Sequence, residues 1–479
     1  LKMTKAKSHK IGLFGLIAMV VGAMIGGGIF DIPQNMAASS SLGAVLIAWV
    51  LTGIGMFGLA FTFKILAEER PDLSIGIYSY ARAGFGKYVG FNSAWGYWIE
   101  AITGNVAYAV MLNDSFGRYF PILLKHQWPT VVFGIVLIWI YNFLVLNGVK
   151  EATFLNTITV IIKFISLAII LICMLIFFRF PTFFWGFWGQ GLHLGNFISQ
   201  IKAPMLVTLW CFIGIEGAVV ISNHAKNPKD VGKATVLGYL TSLIAYVLIS
   251  IVAYGIYHQP TLSKLTDPST AYLMKNLLGP WFIDFVTISV IISVGGSWVA
   301  WTVMMAQLPY AAAKGHVLPK FFAHENKKKV PSVSLYISSI LMSLFMILVV
   351  TANNVYLACI DITGVIILPC YLLSSMYLWK IAQKREIFAN DSHKRNKSLF
   401  IGILSTIYCL WLLYAAGLNY LLISTIIYAV GIIFYYFARK EYDKDGTPLF
   451  NKWELALAII ICVLAIVSIY LLITKKISL

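Results

Sequence analysis

Three ionisable side chains lie deep inside long apolar segments of this sequence. Glu100, Lys163 and Glu216 each interrupt a run that is otherwise nearly free of charge. An ionisable group in a membrane interior costs several kcal/mol unless it is paired or hydrated. We therefore treat these residues as candidates for binding a charged ligand or carrying a proton. Lys163 could replace a bound cation or act as a proton site; the alternative is that its amine reaches an interface.

The residues around Glu100 follow the spacing of one helical face. Tyr97, Glu100, Ala101, Asn105 and Tyr108 stand at offsets 0, 3, 4, 8 and 11, which places them on the same side of a helix. On that side, Glu100 and Asn105 could receive the cationic end of a substrate. The alternative is that Glu100 lies near the membrane surface and faces water.

Two apolar segments are interrupted by glycine near their middle. Span 1 (11–36) contains GAMIGGGIF at 22–30, and span 6 (200–222) contains WCFIGIEG at 210–217. Each glycine weakens a helix by about 1 kcal/mol. Lipid offers no hydrogen bonds to the backbone N–H and C=O groups that a break in the helix exposes. Close helix packing explains either segment alone. However, span 1 and span 6 each begin a set of five spans, and both are interrupted near the same depth. This pattern is typical of an inverted 5+5 repeat with a binding site at the midplane.

Interrupted helices would offer the groups that recognise an amino acid. Free N–H groups at the positive end of a half-helix attract a carboxylate, and freed carbonyls accept from an ammonium. Gly26, Gly27 and Gly28 let a ligand approach the backbone. Glu216 lies beside the break in span 6, and its structural alternative is to bond the unwound N–H groups of both spans.

Two tryptophans at membrane depth could contact a cation. A cation over the indole of Trp210 or Trp301 would gain about 2 kcal/mol or more when desolvated. The chain contains 14 tryptophans, so packing or the aromatic belt at the membrane surface is the alternative for any single one.

The composition fits a membrane protein and excludes several other classes. Of 479 residues, 59% are hydrophobic and 11% charged, whereas soluble domains carry about 25% charged residues. A soluble enzyme, a disordered chain and a disulfide scaffold are therefore excluded. The net charge of +17 does not indicate nucleic-acid binding, because the basic residues lie in short loops. The sequence contains no metal-binding motif or catalytic nucleophile motif, so we predict neither a cofactor nor a metal.

Thirteen apolar runs are long enough to cross a bilayer core of about 30 Å. The run after Lys10 continues past Phe30 without a clean cleavage site, so we expect a first span and no cleaved signal peptide. The segments on the N-terminal side hold 27 Lys and Arg and the opposite ones hold 8, which predicts a cytoplasmic N-terminus. The predicted spans are 11–36, 42–66, 90–113, 129–147, 153–178, 200–222, 234–257, 277–311, 331–351, 354–379, 398–416, 419–437 and 453–473.

Three segments resemble a known family of transporters. They are GAMIGGGIFDIPQNMA at 22–37, LWCFIGIEGA at 209–218 with AKNPKD at 225–230, and WTVMMAQLPYAAAKGHVLPKFFA at 301–323. The sequence resembles the amino acid–polyamine–organocation superfamily, specifically its basic amino acid/polyamine antiporters. It looks most like the bacterial arginine/ornithine antiporters and more distantly like the arginine/agmatine exchanger. The resemblance covers roughly the first 380 residues.

The resemblance implies a LeuT-type fold, alternating access and exchange of one substrate for another. Trp210 would close the outer side of the substrate, Trp301 would stack on its side chain, and Asn105 would bond its distal cationic group. The residues that the resemblance assigns to the substrate head group are Met24, Gly27, Gly28 and Ile213. Those that it assigns to the gate and coupling network are Tyr97 and Glu216.

The sequence also departs from the family pattern. Glu100 replaces a small residue of the arginine/agmatine exchanger, and Ala101 and Tyr108 differ from it as well. Cys370 stands where a gate tyrosine is expected, with Tyr371 adjacent. Ile362 falls near the position of an expected hydroxyl residue, and Thr363 is adjacent to it. Lys163 matches a lysine of proton-coupled relatives. The thirteenth span is also additional to the usual twelve.

From these features we predict an all-α, multi-pass cell-membrane protein without enzymatic activity. Residues 1–380 would form a ten-helix core, with repeats at about 11–178 and 200–380, and residues 381–479 would add further helices. The predicted function is exchange of extracellular arginine for intracellular ornithine. The alternatives are histidine/histamine or lysine/cadaverine exchange and proton-coupled amino acid symport. Expected partners are small cationic amino acids or amines and membrane lipids, but no nucleic acid; a homodimer stays open.

Overall fold

The apolar segments form helices whose ends lie within a few residues of the predicted ones. The computed structural model describes residues 10–73, 77–125, 127–347, 355–384, 388, 391–442 and 448–477. The helices of the first half are α1 Leu13–Met24, α2 Ile32–Ala37, α3 Leu42–Glu69, α4 Tyr78–Phe85, α5 Lys87–Gly117, α6 Trp128–Leu146, α7 Val149–Ile176, α8 Phe180–Phe184 and α9 Phe197–Lys202.

The second half continues with eleven further helices. They are α10 Met205–Phe212, α11 Gly217–Val220, α12 Pro228–Ala253, α13 Gln259–Leu262, α14 Ser269–Leu278, α15 Pro280–Lys314, α16 Ser332–Ile347, α17 Val355–Gln383, α18 Ser392–Ala416, α19 Leu418–Tyr442 and α20 Lys452–Ile473. Short 3₁₀ helices cover Gly28–Phe30, Pro71–Leu73, Pro121–Lys125, Ser222–His224 and Lys320–Ala323.

Ten helical segments in the described part are long and apolar enough to cross a membrane, so the chain is a multi-pass membrane protein. The predicted thirteenth span corresponds to α20, which meets the same criteria. Helix α5 has 31 residues and is long enough to cross at about 1.5 Å per residue. It is not one of the ten segments above, because its polar residues lower its mean hydropathy.

Both predicted breaks are present, as the sequence indicated. Helix α1 ends at Met24 and the 3₁₀ turn Gly28–Phe30 follows before α2. Helix α10 ends at Phe212, and α11 begins only at Gly217. The two broken spans are the first of the series α1–α7 and α10–α17. The all-α fold with unwound spans 1 and 6 is therefore confirmed, whereas the boundary at residue 380 between core and additional helices stays a prediction.

The chain ends of the two broken spans are joined by backbone hydrogen bonds on the N-terminal side of the membrane. The Ile11 N–H donates to the His224 carbonyl at 2.7 Å, and the Lys226 N–H donates to the Ile11 carbonyl at 2.8 Å. These two bonds form an isolated bridge between Ile11 and Ala225. The segment before α1 is thereby held to the segment after α11, so the N-terminal half of span 1 and the C-terminal half of span 6 are linked directly.

Candidate functional site

A small cavity lies between the breaks in spans 1 and 6, the middle of α5 and α15. Its volume is about 10 Å³. The sequence predicted five of its lining residues but missed Gly104, which has no functional group to indicate a role. The lining residues are Glu100, Gly104, Tyr108, Trp210, Ile213 and Trp301.

Aromatic rings and glycines fill the space around this cavity. The rings of Tyr108 and Trp210 lie 6.2 Å apart. A Cβ on Gly26 would lie 3.0 Å from the Tyr108 ring, and one on Gly28 would lie 3.1 Å from Trp210 Nε1. Since about 10–15 Å³ is the space that one water needs, this conformation is closed around the centre. A substrate can enter only if the aromatic rings move.

Glu100 and Asn105 each carry a buried oxygen without a partner, and of the two only Glu100 lines the cavity. Both side chains are 1% exposed, so Glu100 does not face water at the membrane surface. Glu100 Oε2 and Asn105 Oδ1 have no hydrogen-bond partner among the described residues, although Asn105 Nδ2 lies 3.3 Å from Met305 Sδ. Buried polar atoms without partners are unusual and costly. A ligand in the cavity with N–H donors would satisfy the oxygen of Glu100.

Three other residues predicted to bind the substrate, Gly27, Met24 and Ala101, do not line the cavity. A Cβ on Gly27 would lie 2.0 Å from Met111 Sδ and 2.6 Å from Val294 Cγ2, so Gly27 provides a close packing contact beside the cavity. Met24 offers its carbonyl, and this oxygen accepts from the Tyr246 hydroxyl at 2.7 Å. Ala101 is fully buried and is not among the cavity-lining residues.

The carbonyls freed by the break in span 1 already have donors. We expected such carbonyls to be available to a substrate ammonium, but all four between Ala23 and Gly26 are occupied in this conformation. An ammonium would therefore share a carbonyl with one of these donors, displace that donor, or use carbonyls at the span 6 break. The donors are Trp301 Nε1 to Ala23 at 3.0 Å, the Tyr246 hydroxyl to Met24, Lys163 Nζ and the Ser297 hydroxyl to Ile25, and the Ser293 hydroxyl to Gly26 at 2.9 Å.

Lys163 lies behind the break in span 1. Its Nζ donates to the Ile25 carbonyl and to Ser297 Oγ at 3.0 Å, and the side chain is 0% exposed. The amine therefore does not reach an interface. It occupies the negative end of half-helix α1, where a cation is favoured. Its role as a substitute for a bound cation stays a prediction.

Glu216 joins three elements on the N-terminal side of the cavity. Its Oε1 accepts from the Tyr97 hydroxyl at 2.5 Å, and its Oε2 accepts from the Tyr371 hydroxyl at 2.6 Å. Backbone N–H groups of Gly214 and of Glu216 itself also approach the carboxylate. The span 6 break is thus fastened to α5 and α17. Tyr97 and Glu216 were predicted to act together, and the structure brings them into contact.

Tyr371 is a residue whose role the sequence did not identify. We expected Cys370 to replace the gate tyrosine, but Tyr371 itself contacts Glu216. Cys370 instead donates to the Ser93 carbonyl at 3.2 Å. Neighbouring residues on a helix point about 100° apart, so only the orientation of α17 decides which one faces Glu216. In the sequence, the only indication of this role was that Tyr371 is adjacent to the position where a gate tyrosine was expected.

Thr363 adds a hydroxyl to the wall formed by α5. Its Oγ1 lies 2.8 Å from Thr103 Oγ1, and its methyl group would lie 3.5 Å from a Cβ on Gly104. Thr363 therefore stands near the cavity, in the place where the sequence suggested a replacement for Ile362. In the part of the chain that the structure describes, no cluster of three His, Cys, Asp or Glu residues could hold a metal ion.

Comparison with known proteins identifies the family. The profile described as "Amino acid permease" matches residues 11–421. The "Arginine/agmatine antiporter" of Chlamydia felis is 45% identical over 482 residues, covering 99% of both chains. The protein of the same name from Chlamydia pneumoniae is 44% identical over 483 residues, again covering 99% of both chains.

A solved structure supports the fold independently. The Na⁺-coupled sialic acid symporter in its substrate-bound outward-open state has a TM-score of 0.56 and 11% sequence identity, covering 85% of this chain and 90% of that chain. This likeness confirms the LeuT-type fold. The profile and the two relatives also confirm that the protein is a transporter and not an enzyme. The chain belongs to the amino acid permease family, within the amino acid–polyamine–organocation superfamily.

Proposed function

We propose that this protein is an antiporter that takes up arginine in exchange for a second cationic compound. The observation that carries the proposal is the buried carboxylate of Glu100, which lacks a partner for Oε2. It lies in a cavity with the two indoles of Trp210 and Trp301. A guanidinium would supply donors to the carboxylate and a planar cation to the indoles. Neutral side chains would leave Glu100 without compensation.

The charge balance also favours a cationic substrate. Ionised Glu100 and Glu216 would contribute two negative charges near the centre, and protonated Lys163 would contribute one positive charge. An amino acid with a cationic side chain adds one net positive charge, so the occupied site approaches neutrality. Desolvation of the substrate would then be offset by the charges of the site.

Within this proposal, each group of residues binds one part of arginine. Gly26, Gly27, Gly28, Met24 and Ile213 would hold the head group, with Ala101 beside them. Glu100 and Asn105 would hold the guanidinium, and the two tryptophans would cover its aliphatic and planar parts. Tyr97, Glu216, Lys163 and Tyr108 would link the state of the site to the movement of spans 1 and 6.

Ornithine is the counter-substrate that the head-group site favours. Ornithine keeps the carboxylate and ammonium of arginine, so both compounds would use the same two helix breaks. Agmatine lacks the carboxylate and would leave the N–H groups at the start of the Gly28–Phe30 turn unanswered. The full-length similarity to proteins named arginine/agmatine antiporters nevertheless makes agmatine the second candidate.

The closed centre suggests why transport would be an exchange. Reorientation of the empty carrier must bury the unpartnered carboxylate of Glu100, which is costly. A bound cationic substrate satisfies it and lowers the barrier in both directions. The Tyr97–Glu216–Tyr371 contact would open only when the substrate leaves on the N-terminal side.

Counterflow in proteoliposomes tests the proposal. Labelled arginine is added outside, and the lumen holds ornithine, agmatine, leucine, histamine, cadaverine or buffer alone. We expect uptake with internal ornithine, little with leucine and none with buffer. Uptake driven equally by leucine contradicts a cationic site. Uptake with agmatine but not ornithine assigns the counter-substrate to agmatine, and selective uptake with histamine or cadaverine assigns one of the precursor/product pairs.

Proton-coupled symport is a further candidate because Lys163 is buried against the break in span 1. Deprotonation of its amine would remove the positive charge at the C-terminal end of α1 and weaken the bond to the Ile25 carbonyl, which would alter the break. The test uses vesicles without internal substrate and with an imposed pH gradient. Accumulation of arginine there supports symport, whereas its absence together with counterflow supports exchange.

A further inference from the structure

Two neighbouring cavities lie beyond the central site, on the side of the membrane opposite to the N-terminus. Helix α5 runs from Tyr97, which contacts Glu216, past Tyr108 in the central cavity and ends at Gly117 on that opposite side. The nearer cavity, which we name the vestibule, has a volume of about 60 Å³, and the farther one, which we name the mouth, has about 310 Å³. One water needs only about 10–15 Å³. Residues that line the vestibule are Asp31, Met111, Asp114, Ser115, Asp267 and Val290.

The mouth connects the vestibule with the protein surface. Its wall includes Leu124, which is 49% exposed, and also Arg118 and Thr266, which are exposed as well. Asp114 and Asp267 line both cavities, and Asp267 is itself exposed. A solute that enters the mouth therefore reaches the wall of the vestibule.

The vestibule and the central cavity lie one helical turn apart. On α5, Tyr108 lines the central cavity and Met111, three residues later, lines the vestibule. On α15, Val290 lines the vestibule, Val294 lies one turn deeper, and Trp301 lines the central cavity two turns deeper still. Since a helix repeats every 3.6 residues, Met111 and Val294 stand at the level between the two cavities.

Gly27 of the span 1 break makes room for the Met111 side chain at this level. A Cβ on Gly27 would lie 2.0 Å from Met111 Sδ and 2.6 Å from Val294 Cγ2. Met111 is 7% exposed and Val294 is fully buried. The thioether therefore fills the space where another residue at position 27 would place its side chain. It closes the gap between α5, span 1 and α15, whereas the two neighbouring glycines make room for Tyr108 and Trp210.

Met111 and Val294 form an apolar layer between two polar compartments. Carboxyl groups line the vestibule on one side, and Glu100 lines the central cavity on the other. An apolar constriction of this kind stops a hydrated, charged solute. The methionine side chain is unbranched and has three rotatable bonds, so a change of its rotamer can open the layer, whereas valine is stiff at χ1. Met111 is therefore the part of the layer that can move.

We propose that Met111, seated on Gly27 against Val294, is a gate between the vestibule and the central substrate site. A substrate from this side passes the mouth and the vestibule and then displaces the methionine side chain. Its displacement also uncovers the backbone of Gly27, which is proposed to hold the substrate head group. The sequence assigned the outer closure to Trp210, and Met111 adds a second closure further out. The inference rests on the proposed function only in taking the central cavity as the substrate site, and it does not depend on which cations are exchanged.

The accessibility of introduced cysteines tests the gate in the absence of substrate. Gly104→Cys places a thiol in the wall of the central cavity, where a Cβ would have no neighbouring atom closer than 3.5 Å. Val290→Cys places a thiol in the vestibule, in front of the gate. Each is introduced into a chain without other cysteines, and a small, membrane-impermeant cationic methanethiosulfonate is added to intact cells. Because a minor open state is populated at about 0.1–10%, we expect Val290→Cys to be labelled at least about tenfold faster than Gly104→Cys.

Removal of the Met111 side chain should expose the central thiol. Met111→Ala should speed the labelling of Gly104→Cys about tenfold, because labelling follows the fraction of open molecules, and should hardly change the labelling of Val290→Cys. Met346→Ala is the matched control. Met346 is fully buried, and its Cε would lie 2.5 Å from a Cβ on Gly134, so it is also a methionine seated on a glycine, but it does not line the vestibule or the central cavity. It should leave both labelling rates unchanged.

The labelling rates decide the gate independently of the substrates. Slow labelling of Gly104→Cys that persists with Met111→Ala overturns the gate, and so does an equal increase with Met346→Ala. If Met111→Ala does not fold, Val294→Ala, which thins the same layer, takes its place with the same expected result. Counterflow of labelled arginine is measured on the unmodified chain in parallel. Its absence would contradict the proposed substrates, whereas the gate stands or falls with the labelling of Gly104→Cys.

Discussion

At the scale of single residues, the three interior ionisable groups have different surroundings. Glu216 has two tyrosine donors, and Lys163 has a carbonyl and a hydroxyl as acceptors. Glu100 is as deeply buried, yet its Oε2 has no partner among the described residues. Partnered charges hold a structure in place, whereas an unpartnered one attracts a ligand. Glu100 is therefore the residue that should decide the charge of the substrate.

Replacing Glu100 with Gln should weaken arginine binding much more than folding. The change keeps the shape of the side chain but removes the charge. Loss of one partner of a buried, hydrogen-bonded charge pair costs about 2–5 kcal/mol, so arginine affinity should fall by more than tenfold. Calorimetric titration of the purified protein measures this. Unchanged affinity in a normally folded variant would remove Glu100 from the site.

Replacing Tyr371 with Phe should loosen the contact on the N-terminal side of the cavity. Glu216 Oε2 would lose its donor inside the protein, at a cost of about 1–3 kcal/mol. We expect a lower midpoint of thermal unfolding and a changed exchange rate. Cys370→Ser is the matched control, because it lies one residue away and does not contact Glu216. Equal effects of the two substitutions would contradict the assignment of Tyr371.

At the scale of elements, the two breaks are built around positions where a side chain does not fit. Gly214 has φ +104°, and a Cβ there would lie 2.7 Å from the Cβ of Ala23. The breaks therefore approach each other so closely that span 1 and span 6 meet through small residues. This contact explains the glycine at the span 6 break. Gly26, Gly27 and Gly28 at the span 1 break instead make room for the side chains of Tyr108, Met111, Val294 and Trp210.

Gly214→Ala should destabilise the protein and impair transport. A non-glycine residue with such a φ costs about 1–3 kcal/mol, and the contact with Ala23 adds to it. Gly53→Ala is a suitable control: it lies within α3, and its Cβ would meet only Leu243 at 3.6 and 3.8 Å. Thermal unfolding and counterflow of both variants should separate them. A Gly214→Ala protein as stable and active as the control contradicts the close approach of the breaks.

At the scale of the whole molecule, the N-terminal half of span 1 and the C-terminal half of span 6 are linked to each other. The bridge between Ile11 and Ala225 joins their ends, and Glu216 joins span 6 to α5 and α17. The central cavity is closed at the same time. We therefore expect opening toward the N-terminal side to break the tyrosine contacts with Glu216 and to leave the backbone bridge intact.

The orientation in the membrane follows from the distribution of basic residues and can be measured directly. Single cysteines are introduced at Lys328 and at Lys125 in a chain without other cysteines. A membrane-impermeant maleimide should label Lys125→Cys in intact cells and Lys328→Cys only after permeabilisation. The reverse pattern would place the N-terminus outside.

Much of the candidate site followed from local sequence, and some of it could not. The spacing of Tyr97, Glu100 and Tyr108 fixes their shared helical face, because a helix repeats every 3.6 residues. The role of Tyr371 depends on the rotation of α17 against two distant segments. The capture of the span 1 carbonyls by Trp301 and Tyr246 depends on contacts across more than two hundred residues.

The sequence alone determined the membrane-spanning architecture and the two breaks. Burial in lipid is unfavourable for each charged residue and for each backbone group without a hydrogen bond, so these features can be recognised residue by residue. Only the tertiary structure decided which groups satisfy those breaks and which carboxylate remains without a partner. It also brought the ends of α5 and α20 to one carboxylate, Glu454, which no local pattern predicts. Hydrogen bonds and charge pairs between distant segments depend on distances of a few ångströms, and only the packing of all the helices sets those distances.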